Sequence, residues 1–475
     1  MRVSAVSSSP HSIEGFTMKT RYEIDMSKGR LFTKIVSFAV PLLFSGILQL
    51  AFNAADLIVV GRFAGETSLA AVGSNSALVS LVINVLLGLG TGTSVVVSRY
   101  FGAKAEKALQ DAVRTTVIVA VIGGVIFGIL GIVLAGPLLR IMGTPEEVLP
   151  LAKIYLSIYF GGLPIIILYN FSSAVLRAVG DSRRPLVFLA IAGVLNVGMN
   201  LIFVIVFRMD VAGVAIATVL SQCVSCGLTL RCLLKSDTIC RLELHPLAIS
   251  KEQFAEIMRI GLPAGIQGSL FSISNVLIQS SINSFGSIVM AGNSAASSVE
   301  SFLFVSMDAM NQAAIASVSQ NMGAREYART RKAVRCCLLL EVCVSVFLSF
   351  FSITFRRQLV GIYTSEPAAI EAGAVRLLVL GVLYFTNGMQ HMLTGVMRGH
   401  GYSILPTCIT LMGICGFRVI FIYTYFAAHH TLEVLYASYP ISWILTIIAQ
   451  AICYFLLRNR AYEKNEQKYR TALAE

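Results

Sequence analysis

The chain has 475 residues, 56% of them hydrophobic and 13% charged, with a mean hydropathy of +0.76. A soluble domain carries about a quarter of its residues as charge, so the composition excludes an ordinary soluble domain and a disordered chain. Despite a net charge of +12, the shortage of charged residues also argues against a conventional nucleic-acid binder. An integral membrane protein fits instead, because a spanning helix needs about 20 apolar residues and a dozen would use about 240.

Residues 1–30 hold Ser7, Ser8, Ser9 and Pro10 with scattered charge and no apolar core. That excludes a cleaved secretory signal and predicts a disordered cytoplasmic tail, with Met18 as an alternative start. Twelve apolar windows follow, at about 33–60, 68–97, 113–139, 151–178, 186–207, 211–234, 255–283, 288–317, 333–356, 372–397, 404–427 and 434–457. They are continuously apolar rather than alternating, so they predict transmembrane helices and not a barrel. The expected class is an all-α integral membrane protein. Residues 31–240 and 241–457 would form two six-helix lobes, joined by the polar stretch near Lys235–Lys251, and 458–475 a second cytoplasmic tail.

Basic residues sort by side. With both ends cytoplasmic, 29 of the 37 Lys and Arg residues fall in the inner segments and seven outside, namely Arg62, Arg140, Lys153, Arg208, Arg356, Arg357 and Arg376. That asymmetry is the positive-inside pattern of a multi-pass protein of the cell membrane. Of the ten cysteines, Cys223 and Cys226 form a CxxC on an apolar helix with no second pair and no nearby His, which predicts packing thiols rather than a metal or redox site.

The chain also repeats itself. Val97-Ser98-Arg99-Tyr100-Phe101-Gly102-Ala103 corresponds to Val318-Ser319-Gln320-Asn321-Met322-Gly323-Ala324, 221 residues on. Ala112-Val113-Arg114 corresponds to Ala333-Val334-Arg335, and Arg177, Gly180, Ser182 and Pro185 to Arg398, Gly401, Ser403 and Pro406, all at the same offset. Pro41 and Asn53 match Pro263 and Asn275 at 222. Six helices per half means both halves enter from one face, as parallel repeats about an axis along the membrane normal. Alternating access needs such duplication; an enzyme does not.

Five charges fall inside the windows as sorted above: Asp56, Glu300, Asp308, Glu341 and Arg418. An ionised group at mid-membrane costs about 3 kcal/mol or more. On span 1, Gln49, Asn53 and Asp56 share roughly one face; span 5 brings Asn196 and Asn200, four apart, and span 6 Thr218. Asp56, Asn196, Asn200 and Thr218 form a candidate cation-coupling set, either hard oxygen ligands for Na⁺ or a carboxylate that carries H⁺. The asparagines equally suit plain interhelical hydrogen bonding. Glu300 is the candidate acid of the second half. Gln49, Asn53, Gln267, Asn275, Glu300 and Asn387 are the expected cavity lining. Asp308 and Glu341 either snorkel or pair with Arg418, and His391, one turn from Asn387, is expected as a packed polar group.

No GxxxxGK[ST] motif occurs, and Gly88-Leu89-Gly90-Thr91-Gly92 lies inside an apolar helix, where it allows close packing or a bend rather than nucleotide binding. An ion gradient is then the expected energy source, with H⁺ or Na⁺ as coupling ion and no bound cofactor.

At this point the sequence resembles the MATE (multidrug and toxic compound extrusion) family. The resemblance is carried by Pro41, Gln49 and Asn53-Ala54-Ala55-Asp56-Leu57-Ile58-Val59-Val60-Gly61, then Leu69-Ala70-Ala71-Val72-Gly73. Gly102-Ala103, Arg177-Ala178-Val179-Gly180-Asp181-Ser182, Gln320-Asn321-Met322-Gly323-Ala324 and Arg398-Gly399-His400-Gly401 extend it over residues 30–455. It implies a V-shaped pair of six-helix lobes exporting amphipathic, often cationic small molecules by H⁺ or Na⁺ antiport. By the same resemblance Asp56 matches the coupling acid, with Asn196, Asn200 and Thr218 as its partners. Asn200 stands where many relatives carry a second Asp. Phe271 and Asn387 replace acids of the NorM-like branch, which points to the DinF-like side. Pro41 and Pro263 are expected kink points. A flippase of lipid-linked precursors is the rival; with four acids against one Arg in the spans, cationic cargo is favoured. Partners are drug-like molecules and lipid, no nucleic acid and no enzyme substrate, and a monomer is expected to suffice.

Overall fold

The computed structural model describes residues 22–235, 239–243 and 248–474; Met18 and two short stretches of the link between the halves, 236–238 and 244–247, lie outside them. The first half contains α1 (Leu31–Phe63), α2 (Glu66–Ala103), α3 (Glu106–Ile141), α4 (Leu149–Gly161), α5 (Leu163–Ala178), α6 (Arg183–Leu201) and α7 (Asp210–Leu234). The second contains α8 (Lys251–Asn283), α9 (Ser287–Gly323), α10 (Tyr327–Thr354), the short α11 (Arg356–Gly361), α12 (Pro367–Gly381), α13 (Tyr384–Gly399), α14 (Ile404–Thr410), α15 (Phe417–Phe421) and α16 (Leu432–Ala474). Helix α6 runs on into a π-helical turn, Ile202–Val206; α14 and α15 are joined and followed by two more, Leu411–Gly416 and Ile422–Phe426.

Among the described residues nine helices are long and apolar enough to span, and two bent pairs, α4–α5 at 48° and α12–α13 at 54°, each make one further span. The twelfth is α8. It is 33 residues long, about 50 Å at 1.5 Å per residue, and it carries Gln, Ser and Asn residues along its length. All twelve windows therefore fall on helices. The two sharp bends occupy the same place in each half, while α1 and α8 continue as helix through Pro41 and Pro263. Apolar side chains such as Val194, Phe347, Phe350 and Leu456 stay more than 60% exposed, a belt that suits lipid.

The lobes are fused on the face where both termini lie. Backbones meet there directly, which only glycine permits. A Cβ on Gly88 would lie 2.0 Å from the backbone nitrogen of Gly265, and one on Gly92 2.4 Å from the carbonyl of Ile257. The Gly88–Gly92 run is thus a packing surface between α2 and α8. The repeat makes this seam reciprocal. A Cβ on Gly102 would meet the Gln320 carbonyl at 2.0 Å, and one on Gly323 the Arg99 carbonyl at 1.9 Å. Gln320 Nε2 donates to Ala178 O at 2.9 Å, and Arg99 Nη2 to Gly399 O at 3.4 Å. Each of these partners is 221 residues from its counterpart.

The N-terminal stretch is not wholly loose. Residues 1–21 lie outside the described residues, but Met26 is fully buried in a cluster with Ile35, Phe38 and α9 residues. Its N–H donates to Gln320 Oε1 at 2.8 Å, and Arg329 donates to the carbonyls of Met26, Lys28 and Gly29 at 3.0, 2.7 and 2.8 Å. Across the seam, Tyr22 stacks under Arg184 of α6 at 5.8 Å. Residues 22–30 therefore form an ordered strap over both lobes. A polar sequence gave no sign of this, because its hydrogen bonds are mostly made by backbone groups.

Candidate functional site

In the N-lobe the four candidate coupling residues converge. Asn200 Nδ2 donates to Asp56 Oδ1 at 2.5 Å and to Asn196 Oδ1 at 3.3 Å, and Asn196 Nδ2 donates to Thr218 Oγ1 at 3.4 Å. The chain of contacts links α1, α6 and α7. Asn196 and Asn200 reach one side because four residues make about one helical turn. Thr218 spends its own proton on the Val214 carbonyl, at 3.0 Å, so its oxygen faces Asn196 as an acceptor. Asn200 is fully buried and its Oδ1 has no hydrogen-bond partner. The cluster thus offers one carboxylate, two amide oxygens and a hydroxyl, with an acceptor left unsatisfied: a donor set that suits Na⁺ or a proton. Tyr155 of α4, which sequence reasoning did not single out, packs against Val59, Val204 and Val214 beside it.

Gln49 and Asn53 are exposed on α1, and Asn275 on α8. The described lobe-to-lobe hydrogen bonds end at Asn84 Nδ2 to Ser272 Oγ, 3.0 Å, and Ser269 Oγ to Leu81 O, 3.5 Å. These three side chains therefore sit on parts of α1 and α8 beyond the described hydrogen bonds of the seam, on the side away from the termini. Gln267 is half-buried and engaged within the C-lobe. Its Oε1 accepts from Arg398 Nη2 at 2.9 Å and from Thr407 Oγ1 at 3.1 Å. Asn387 faces Met307 Sδ at 3.8 Å.

Glu300 is not a solitary acid. Arg376 grips it with two bonds, Nε to Oε1 at 2.8 Å and Nη2 to Oε2 at 2.7 Å, while Arg376 Nη1 donates to Asn293 Oδ1 at 2.5 Å. Arg376 is 5% exposed and belongs to the lobe interior, not to an outer loop. The count of four acids against one Arg inside the spans is corrected accordingly. Its number, inside the window 372–397, was the available signal. Asp308 and Glu341 do not pair with Arg418. Asp308 lies 3.6 Å from His391 Nε2, and Glu341, 1% exposed, accepts from Ser345 Oγ at 2.6 Å. Glu341 has room because Gly388 lacks a side chain: a Cβ there would fall 2.0 Å from Oε1.

Fold and site together define a duplicated, twelve-span membrane protein of the transporter kind, with an acid–amide cluster in the first lobe and a glycine seam between the two. The profile of the MatE family matches residues 41–202 and 263–424. The chain belongs to this MATE family. It is 30% identical to the "probable multidrug resistance protein YpnP" of Bacillus subtilis, over 83% of this chain and 88% of that one. It is 22% identical to an "FAD transporter" of Shewanella oneidensis, over 75% and 79%. A solved structure described as an outward-facing conformation of a multidrug resistance MATE family transporter superposes with a TM-score of 0.84 at 24% identity, covering 94% of this chain and 99% of that one.

Proposed function

We propose that this protein is a secondary multidrug exporter of the cell membrane that exchanges H⁺ or Na⁺ for amphipathic drug-like molecules by alternating access. The observation that carries this is Asp56, held by Asn200 at 2.5 Å inside one of two duplicated lobes. The multidrug resistance protein of Bacillus subtilis, similar over most of both chains, supports the cargo class. The positive-inside asymmetry supports cytoplasmic termini, and a seam closed on that face supports an outward-open state.

In that state a cation enters from the outer side to Asp56. Binding draws the amide oxygens of Asn196 and Asn200 onto the ion and alters the α1–α6–α7 contacts. It shifts the equilibrium only insofar as the ion prefers one state over the other. Gln49, Asn53 and Asn275 line the drug's route, and parting of the glycine seam opens the opposite face. Efflux of a fluorescent dye from everted vesicles, under a proton gradient or a sodium gradient imposed separately, tests coupling. Drive by neither gradient would reject antiport, and lipid translocation without dye efflux would favour a flippase.

A further inference from the structure

Arg376 and Arg418 both face the Tyr439 ring in the C-lobe interior, and of the two only Arg376 is held by a carboxylate. Arg376 occupies both oxygens of Glu300. Arg418 is 2% exposed and makes no ion pair among the described residues. Its Nε donates to Ser442 Oγ at 3.0 Å, and its Nη2 has no hydrogen-bond partner. The ring centroid of Tyr439 lies 4.1 Å from its Cζ, with Trp443 and Phe271 at 5.9 and 6.0 Å. Aromatic faces soften the burial of a cation but leave an N–H of a charged group unsatisfied, which is costly.

Its place in the repeat is telling. The two matched family segments start and end 222 residues apart, whereas Pro185 and Pro406 are 221 apart. The π-helical turn Leu411–Gly416 supplies the extra residue, since a π turn is a one-residue insertion into an α-helix. Counting past it, Arg418 occupies in the C-lobe the position that Asn196 occupies in the N-lobe. One lobe therefore has an acid–amide cluster at this level, and the other has an unpaired guanidinium on an interrupted helix.

We propose that Arg418 is the residue that binds the carboxylate of an exported molecule that carries one. A planar guanidinium with a free Nη2 in apolar surroundings is suited to a carboxylate oxygen, and aromatic neighbours suit an aryl tail. The half-buried Tyr439 ring also lies over Arg376, at 5.4 Å; turning it is the movement that admits the ligand. This deepens the export reading by naming a charge on the cargo and depends on that reading only for transport.

Trp443 is the only tryptophan in the chain, so intrinsic fluorescence of the purified protein in detergent reports on this site. The probes are a long-chain 4-alkylbenzoate and its methyl ester. The benzoate is expected to produce a saturable change with a Kd at least about tenfold lower than the ester, the range of one charge-assisted hydrogen bond. Arg418→Gln should abolish that preference. If the glutamine variant does not fold, Arg418→Lys should reduce the preference, because lysine lacks the planar fork. Equal affinity for acid and ester in the wild type, or an undiminished preference in a folded variant, would overturn the proposal. No gradient is involved, so a failure here leaves coupling at Asp56 untouched.

Discussion

Gly323 of α9 presses against the carbonyl oxygen of Arg99 of α2, so closely that a Cβ on the glycine would lie 1.9 Å from it. The contact recurs 221 residues earlier in mirrored roles, with Gly102 on the Gln320 carbonyl at 2.0 Å. A duplicated chain thus closes its terminal face as a two-fold dimer closes its interface, with the same surface used twice.

Any side chain at these glycines should hold the seam apart. Gly102→Val or Gly323→Val is expected to disfavour the state described above. In a background with the ten native cysteines replaced, a single cysteine placed at Ala178, beneath the seam, should then react with a membrane-impermeant maleimide from the terminal face at least about tenfold faster than without the valine, the population change expected of a contact worth about 1.4 kcal/mol. Unchanged labelling would show that the seam does not gate access.

Releasing the N-terminal strap should be separable from unfolding. Arg329→Ala removes the three bonds to the carbonyls of Met26, Lys28 and Gly29, each worth about 1.5–3 kcal/mol when the donor is charged. Limited proteolysis is expected to cleave within 22–30 several-fold faster in the variant while the helices remain resistant. Equal cleavage rates would mean that the remaining contacts, the buried Met26 and the Tyr22–Arg184 stack among them, hold the strap without Arg329.

The Glu300–Arg376 pair is expected to behave as a structural ion pair. Glu300→Gln should leave a buried guanidinium uncompensated and destabilise the C-lobe by about 3–5 kcal/mol, with Glu300→Leu combined with Arg376→Met recovering most of the loss. Thermal unfolding in detergent measures both. A Glu300→Gln protein as stable as wild type but altered in its ion dependence would instead return Glu300 to the coupling machinery.

Asn200 is predicted to matter through Asp56. Asn200→Ala removes the 2.5 Å bond and a ligand oxygen, so gradient-driven dye efflux should fall by about tenfold or more, consistent with about 1.5–3 kcal/mol for a hydrogen bond to a charged group. Asn200→Asp keeps an oxygen there and should retain more efflux than the alanine variant. Equal efflux in wild type and alanine variant would reduce Asn200 to helix packing.

The twelve spans and the duplication were legible because both are one-dimensional signals: apolar length and residue identity at a fixed offset. The N-lobe cluster was legible too, since Asp56 is a rare acid in an apolar run and Asn196 and Asn200 share a helix face. Arg376 was missed because sorting charges by loop placed it outside, although its number falls within a span. The exchange of Arg418 for Asn196 was hidden by a π turn that shifts the register by one residue, which no hydropathy pattern marks. Met26 was unreadable as well, because a lone apolar residue among polar ones carries no periodicity.

The most direct measurement is gradient-driven dye efflux from everted vesicles containing Asp56→Asn protein, beside dye counterflow with no gradient imposed. Loss of more than about 90% of gradient-driven efflux, with counterflow retained, is predicted, because the amide preserves the shape of the cluster but removes the charge that binds the ion. Wild-type efflux by the Asp56→Asn protein under both a proton and a sodium gradient would contradict the assignment of Asp56 as the coupling residue.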